Sequence, residues 1–140
     1  MVRISNLELI ECLEKNARES FTNLAKKFGV SETAIRKRIR KLESLGVIKR
    51  YTVEVDAKKL GFEIDSLIGV DTTPEDYLNV IKRLKQMEEV KKLYSSTGDH
   101  MLLAECWFKN SEELATFVEK IKNIEGVTKV CPAIVLERLK

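Results

Sequence analysis

The chain has 140 residues but only one histidine and three cysteines, and no apolar run near the ~20 residues of a membrane span. The missing run excludes a transmembrane helix. No basic, then apolar, then small-residue leader opens the chain. A cytoplasmic protein with no membrane partner is therefore expected. Cys12, Cys106 and Cys131 are odd in number, far apart and without a CxxC pair. That pattern fits reduced thiols in apolar settings better than a disulfide frame. A structural zinc needs ~4 ligands, and His100 has no spaced partner. No metal and no cofactor are expected. No serine or cysteine nucleophile is tied by a motif to Asp99-His100, so no catalytic residue is assigned.

What is present is enough for a core: 44% of the residues are hydrophobic. The net charge of +3 hides an asymmetry. Residues 1–51 hold 12 Lys and Arg against 6 Asp and Glu, and residues 52–140 hold 13 against 16. A basic first half and an acidic second half suggest two domains with different partners. The basic half is the one suited to a polyanion.

Three helices are predicted in the first half. Ser5 or Asn6 caps the first, with Leu7, Ile10, Leu13 and Ala17 inward. Ser20 caps the second, with Leu24, Ala25 and Phe28 inward, and Gly29 ends it. Ser31 caps the third, where Ile35, Ile39 and Leu42 repeat at helical spacing and Gly46 closes the run. Thr33, Lys37, Arg40 and Lys41 fall opposite that stripe, with Arg36 and Arg38 on its flanks. A merely solvated helix would alternate acids with its bases. Here only Glu32 and Glu43 do so, at the ends.

Ala25, Gly29 and Ile35 meet the needs of a helix-turn-helix: a small residue where helices touch, a left-handed turn and an aliphatic anchor. Double-stranded DNA is the expected partner. Ser31, Glu32, Thr33, Arg36, Lys37 and Arg40 are candidates for base edges or nearby phosphates, and Arg38 and Lys41 extend the basic surface. From Tyr51, β-prone residues alternate with polar ones in "YTVEVD", which predicts a strand or short wing. Lys49 and Arg50 would then reach phosphates beside the main contact.

"NARESFTNLAKKFGVSETAIRKRIRKLESLGVIKRYT" resembles the DNA-binding half of the leucine-responsive regulator/AsnC family, the feast/famine regulators, in its archaeal form. The resemblance extends over essentially the whole chain.

The second half is doubled. "LKQMEEVKKL" (Leu84–Leu93) and "IKNIEGVTKV" (Ile121–Val130) align without a gap. Each joins a helix end to a strand. Each also follows a helix with good start signals, Pro74 in one and Ser111 with Glu112 and Glu113 in the other. A β-rich run precedes each helix, and "SSTGD" turns between the copies. The order β-α-β-β-α-β predicts a ferredoxin-like sandwich, two helices on a four-stranded antiparallel sheet. The fold class is thus α+β: a winged helix-turn-helix domain at 1–50, a strand linker or hinge at 51–62, and a ferredoxin-like domain at 63–140.

"HMLLAECWFK" is apolar nearly throughout, as in a strand buried on both faces. It implies sheet-to-sheet packing in a homodimer, with Trp107 in that packing or in the core. The family resemblance implies the same, and also higher assemblies such as tetramers or octamers. It further implies that amino acids bind near the turn between the middle strands. Thr97, Gly98, Asp99, His100 and Met101 are the corresponding residues. Met101 stands where a second acid is common, and a plain Gly-Asp hairpin turn is the competing reading.

A sequence-specific transcriptional regulator, not an enzyme, is the expectation. Two alternatives remain: a tetrapyrrole decarboxylase on the same architecture, and an architectural protein that coats DNA with little sequence preference.

Overall fold

The computed structural model describes residues 4–140; the first three residues of the expected 1–50 domain lie outside the described residues. The chain divides into two compact units, Met1–Glu54 and Val55–Lys140.

The first unit is three helices, α1 (Asn6–Lys15), α2 (Phe21–Phe28) and α3 (Glu32–Ser44). Each begins at a serine whose hydroxyl accepts an N–H of the first turn: Ser5 from Glu8, Ser20 from Asn23 and Ser31 from Ala34. Such caps satisfy donors that the helix itself cannot, and each contributes about 1 kcal/mol. Gly29 ends α2 in the left-handed region at φ 65°, and its N–H reaches back to Ala25 and Lys26. Leu9, Leu24, Ile35 and Leu42 form a dry core with Ala25 and Ile39.

Three expectations fail in this unit. Ala17, expected inward on the first helix, is exposed and lies past the helix end at Lys15. Leu7 was expected inward and is 68% exposed, while Leu9 is fully buried. The inner stripe of α1 follows Leu9 and Leu13, a face at i, i+4 that turns Leu7 outward. The strand predicted from Tyr51 does not form; the described chain has no strand before Ile64. Alternation suits a pleat, but a strand also needs a hydrogen-bonding neighbour, and residues 51–56 have none within the sheet.

The second unit opens with a short 3₁₀ turn, Lys58–Leu60. It continues as β1 (Ile64–Thr72), α4 (Tyr77–Lys85), β2 (Val90–Ser95), β3 (Leu102–Phe108), α5 (Ser111–Lys122) and β4 (Val127–Ile134). The sheet order is β2-β3-β1-β4, with all three pairings antiparallel. This is the ferredoxin-like arrangement read from the doubled sequence. The cap of α5 sits one residue earlier than Ser111: Asn110 Oδ1 accepts from the Glu113 N–H at 2.9 Å. Leu84 and Ile121, equivalent in the repeat, are both fully buried.

Alternation divides β3. Leu102, Ala104, Cys106 and Phe108 are buried, whereas Leu103, Glu105 and Trp107 are half-buried. Burial on both faces was expected, and the single chain supplies it on one. The Phe108 ring packs on Phe117 at 5.1 Å between centroids. Burial pushes the Cys106 thiol up to about 12, so it remains a packed, protonated side chain. The three cysteines are free. No helix among the described residues is long and apolar enough to cross a membrane.

Candidate nucleic-acid interface and effector hairpin

The basic helix is held at both flanks. On one side Arg38 Nη1 donates to Asn6 Oδ1 of α1 at 2.8 Å. On the other, Thr22 of α2 donates through Oγ1 to Glu32 Oε1 at 2.6 Å. One turn along, the Arg36 guanidinium lies 5.4 Å from the centroid of the Phe21 ring. The stripe Ile35, Ile39 and Leu42 is buried beneath. These contacts leave Thr33, Lys37, Arg40 and Lys41 exposed on the remaining face. No acid among the described residues pairs with those three bases.

The ten residues singled out in the sequence therefore occupy different positions. Ser31 has its hydroxyl committed to the cap, Glu32 is tied to Thr22 and Arg38 to Asn6. Arg36 is stacked, and four side chains are free. Lys49 and Arg50 follow the turn in which the Val47 and Ile48 N–H groups return to the Leu42 carbonyl. Both are exposed just beyond the end of α3. Sequence reasoning missed Phe21, Thr22 and Asn6. Asn6 and Thr22 are exposed helix-start residues whose roles appear only when the helices pack.

In the second unit the five hairpin residues also separate. Thr97, Gly98 and Asp99 are exposed at the tip, with Gly98 at φ 108°. His100 and Met101 turn back onto the sheet. His100 Nδ1 lies 2.9 Å from Asp71 Oδ2, while Asp71 Oδ1 accepts the Met101 N–H at 2.9 Å. Met101 Sδ accepts the Thr72 N–H at 3.5 Å. The imidazole sits over Gly69, where any Cβ would run into the ring. The hairpin is closed by Ser96, whose N–H donates to the Met101 carbonyl and whose hydroxyl donates to the His100 carbonyl. The hydrogen bond from His100 holds the Asp71 carboxyl below the usual carboxylate range.

Asp71 was missed as well. Strand alternation could have found it, since Asp65, Leu67, Gly69 and Asp71 share the face of β1 away from the helices. That face also carries Leu103 and Trp107. Leu67 is 43% exposed, and Trp107 packs on Phe62 with Lys91 Nζ 5.3 Å above its indole ring. Asp65 is the odd member: its Oδ1 is buried with no hydrogen-bond partner among the described residues. Burial, then the nearby Glu105, pushes its carboxyl up.

The chain is similar to known proteins in sequence and in fold. The AsnC-type helix-turn-helix domain matches residues 5–43, and the Lrp/AsnC ligand binding domain matches residues 66–140. The HTH-type transcriptional regulator LrpA of Pyrococcus horikoshii is 50% identical over 133 residues, 94% of each chain. The solved structure of E. coli AsnC superposes with a TM-score of 0.83 at 29% identity, covering 99% of this chain and 95% of its own. A feast or famine regulatory protein from M. tuberculosis, complexed with L-methionine, has the same fold, with a TM-score of 0.84 at 24% identity over 94% of this chain and 90% of its own.

Fold, basic helix and relatives together define a helix-turn-helix transcriptional regulator rather than an enzyme. Within that class, the chain belongs to the Lrp/AsnC family.

Proposed function

We propose that the protein binds specific DNA sequences as a dimer or a multimer of dimers, with an amino acid or related metabolite tuning it. The observation that carries this reading is the clamped α3, whose free face presents Thr33, Lys37, Arg40 and Lys41 with no acid between them. Lysine and arginine there, with Lys49 and Arg50 beside the helix end, would neutralise phosphates and release counterions, the term that dominates affinity. Thr33, Lys37 and Arg40, exposed on that face, would meet base edges. Two copies would address half-sites ~34 Å apart or a multiple of that spacing. DNA bent around the assembly would block or recruit polymerase.

The half-open face with Leu67, Leu103 and Trp107 supports dimerisation through the sheet, because apolar surface exposed in one chain gains by burial against another. Tetramers or octamers would be built from such dimers. The division of labour follows: residues 1–50 bind DNA, 51–62 act as a hinge, and 63–140 associate and sense. The cytoplasm is the compartment that suits a DNA-binding regulator.

For the effector, Asp99 is the carboxylate left free at the hairpin tip, since Asp71 is engaged at both oxygens. It would take an α-ammonium group while turn N–H groups take the carboxylate. The L-methionine held by the M. tuberculosis relative supports this ligand class.

Selection of binding sites from a random duplex pool at near-physiological salt tests the function. An enriched palindromic motif is expected. DNA retained without a motif would favour the low-specificity architectural reading, and no retention would overturn DNA binding by the free protein.

A further inference from the structure

Arg36 differs from every other arginine or lysine on α3. Its guanidinium lies over the Phe21 ring at 5.4 Å. No oxygen among the described residues accepts a hydrogen bond from it. Arg38, by contrast, has already committed Nη1 to Asn6. Stacking uses the flat face of a guanidinium and leaves its in-plane donors unspent, in the fork that matches a two-oxygen or oxygen–nitrogen acceptor edge. Four residues before Arg36 on the same flank, Glu32 is fixed by Thr22, the neighbour of Phe21. The first turn of α2 thus touches α3 at two consecutive turns, and one of those contacts orients a cation whose hydrogen bonds remain available.

We propose that Phe21 is a positioning residue for DNA reading. It does not itself contact DNA; its ring aims Arg36 at a bidentate acceptor, a backbone phosphate or a guanine edge. Without the ring, Arg36 keeps its charge but loses its direction, and the rotamer entropy of a long side chain must then be lost on binding. The inference rests on α3 being the DNA-reading helix.

The test is a double-mutant cycle on the selected operator with the full-length protein: wild type, Phe21→Leu, Arg36→Ala and the double variant, with Phe21→Tyr as the conservative replacement. Thermal unfolding of each variant identifies any that fails to fold. Phe21→Leu is expected to weaken binding about 2- to 5-fold, and Arg36→Ala roughly 10-fold. In the Arg36→Ala background, Phe21→Leu should have no further effect, and Phe21→Tyr should bind like wild type. The acceptor is identified in the same series. A salt slope lowered by about one, equally on all sequences, marks a phosphate; lost preference at a single G·C pair marks a guanine.

Equal losses from Phe21→Leu with and without Arg36 would overturn the proposal, because the ring would then act by another route. So would an Arg36→Ala variant of wild-type affinity, even while Arg40→Ala still weakens binding and DNA reading by α3 stands. A wild-type chain that binds no duplex at all would remove the function itself.

Discussion

Each unit of this protein buries one face and leaves another uncovered, but the uncovered faces differ in kind. On α3 the free face carries charge, and the contacts at its edges hold cations toward solvent. On the sheet the free face carries Leu67, Leu103 and Trp107 between two aspartates, Asp65 and Asp71. A charged, well-hydrated surface gains little from a protein partner and much from a polyanion; an apolar one gains by excluding water. The same rule of inside and outside thus suits the two units to different kinds of partner.

The two faces can be separated by mutation, and the largest effect should come from neither of them. Phe108→Ala removes a buried ring that packs on Phe117 and should cost about 3–5 kcal/mol of stability by denaturant unfolding. A loss below about 1 kcal/mol would mean that the second core is not where the sheet is anchored.

Leu67→Asp puts a charge on the outer sheet face without touching the core. It should convert the proposed dimer to monomer in sedimentation velocity, and DNA affinity should fall at least ~10-fold as two linked contacts become one. An unaltered sedimentation coefficient would remove that face as the interface. Arg40→Ala should do the reverse: the assembly stays intact while DNA binding weakens by about 1–3 kcal/mol. Unchanged affinity would take Arg40 off the reading face.

The smallest effects sharpen the comparison within β1. Asp71 has a lowered carboxyl, so its ionised form stabilises the fold. That contribution is complete above the ordinary carboxylate pKa of about 3.9 and is lost as pH falls through that range to the lowered value. Asp71→Asn should therefore be less stable than wild type at neutral pH, with the gap closing in acid. Asp65 has a raised carboxyl and should behave oppositely. Its ionisation costs stability as pH rises through the ordinary range to the raised value, so Asp65→Asn should equal or exceed wild type at neutral pH. Urea titrations from pH 3 to 7 distinguish the two, and parallel curves would refute the assignment.

Much of this was legible in residues alone because the rules involved are local. Ser5, Ser20 and Ser31 cap because a hydroxyl reaches an N–H three positions on. Ile35, Ile39 and Leu42 are inside because a helix repeats every 3.6 residues. The repeat around Leu84 and Ile121 announced the double βαβ unit. Local rules also misled: Leu7 fits helical spacing with Ile10 as well as Leu9 does with Leu13, yet it points outward, and "YTVEVD" alternates without having a neighbour to pair with.

By itself, the sequence determined the three capped helices, the face on which α3 keeps its bases, and the doubled sandwich. Tertiary structure alone decided that Phe21 meets Arg36, that Thr22 meets Glu32, and that His100 lies over Gly69 against Asp71, 29 residues away in the chain. The physical reason is that propensity and periodicity act within a turn or a pleat. Which exposed polar group meets which is set by how whole elements pack and by the register in which strands pair.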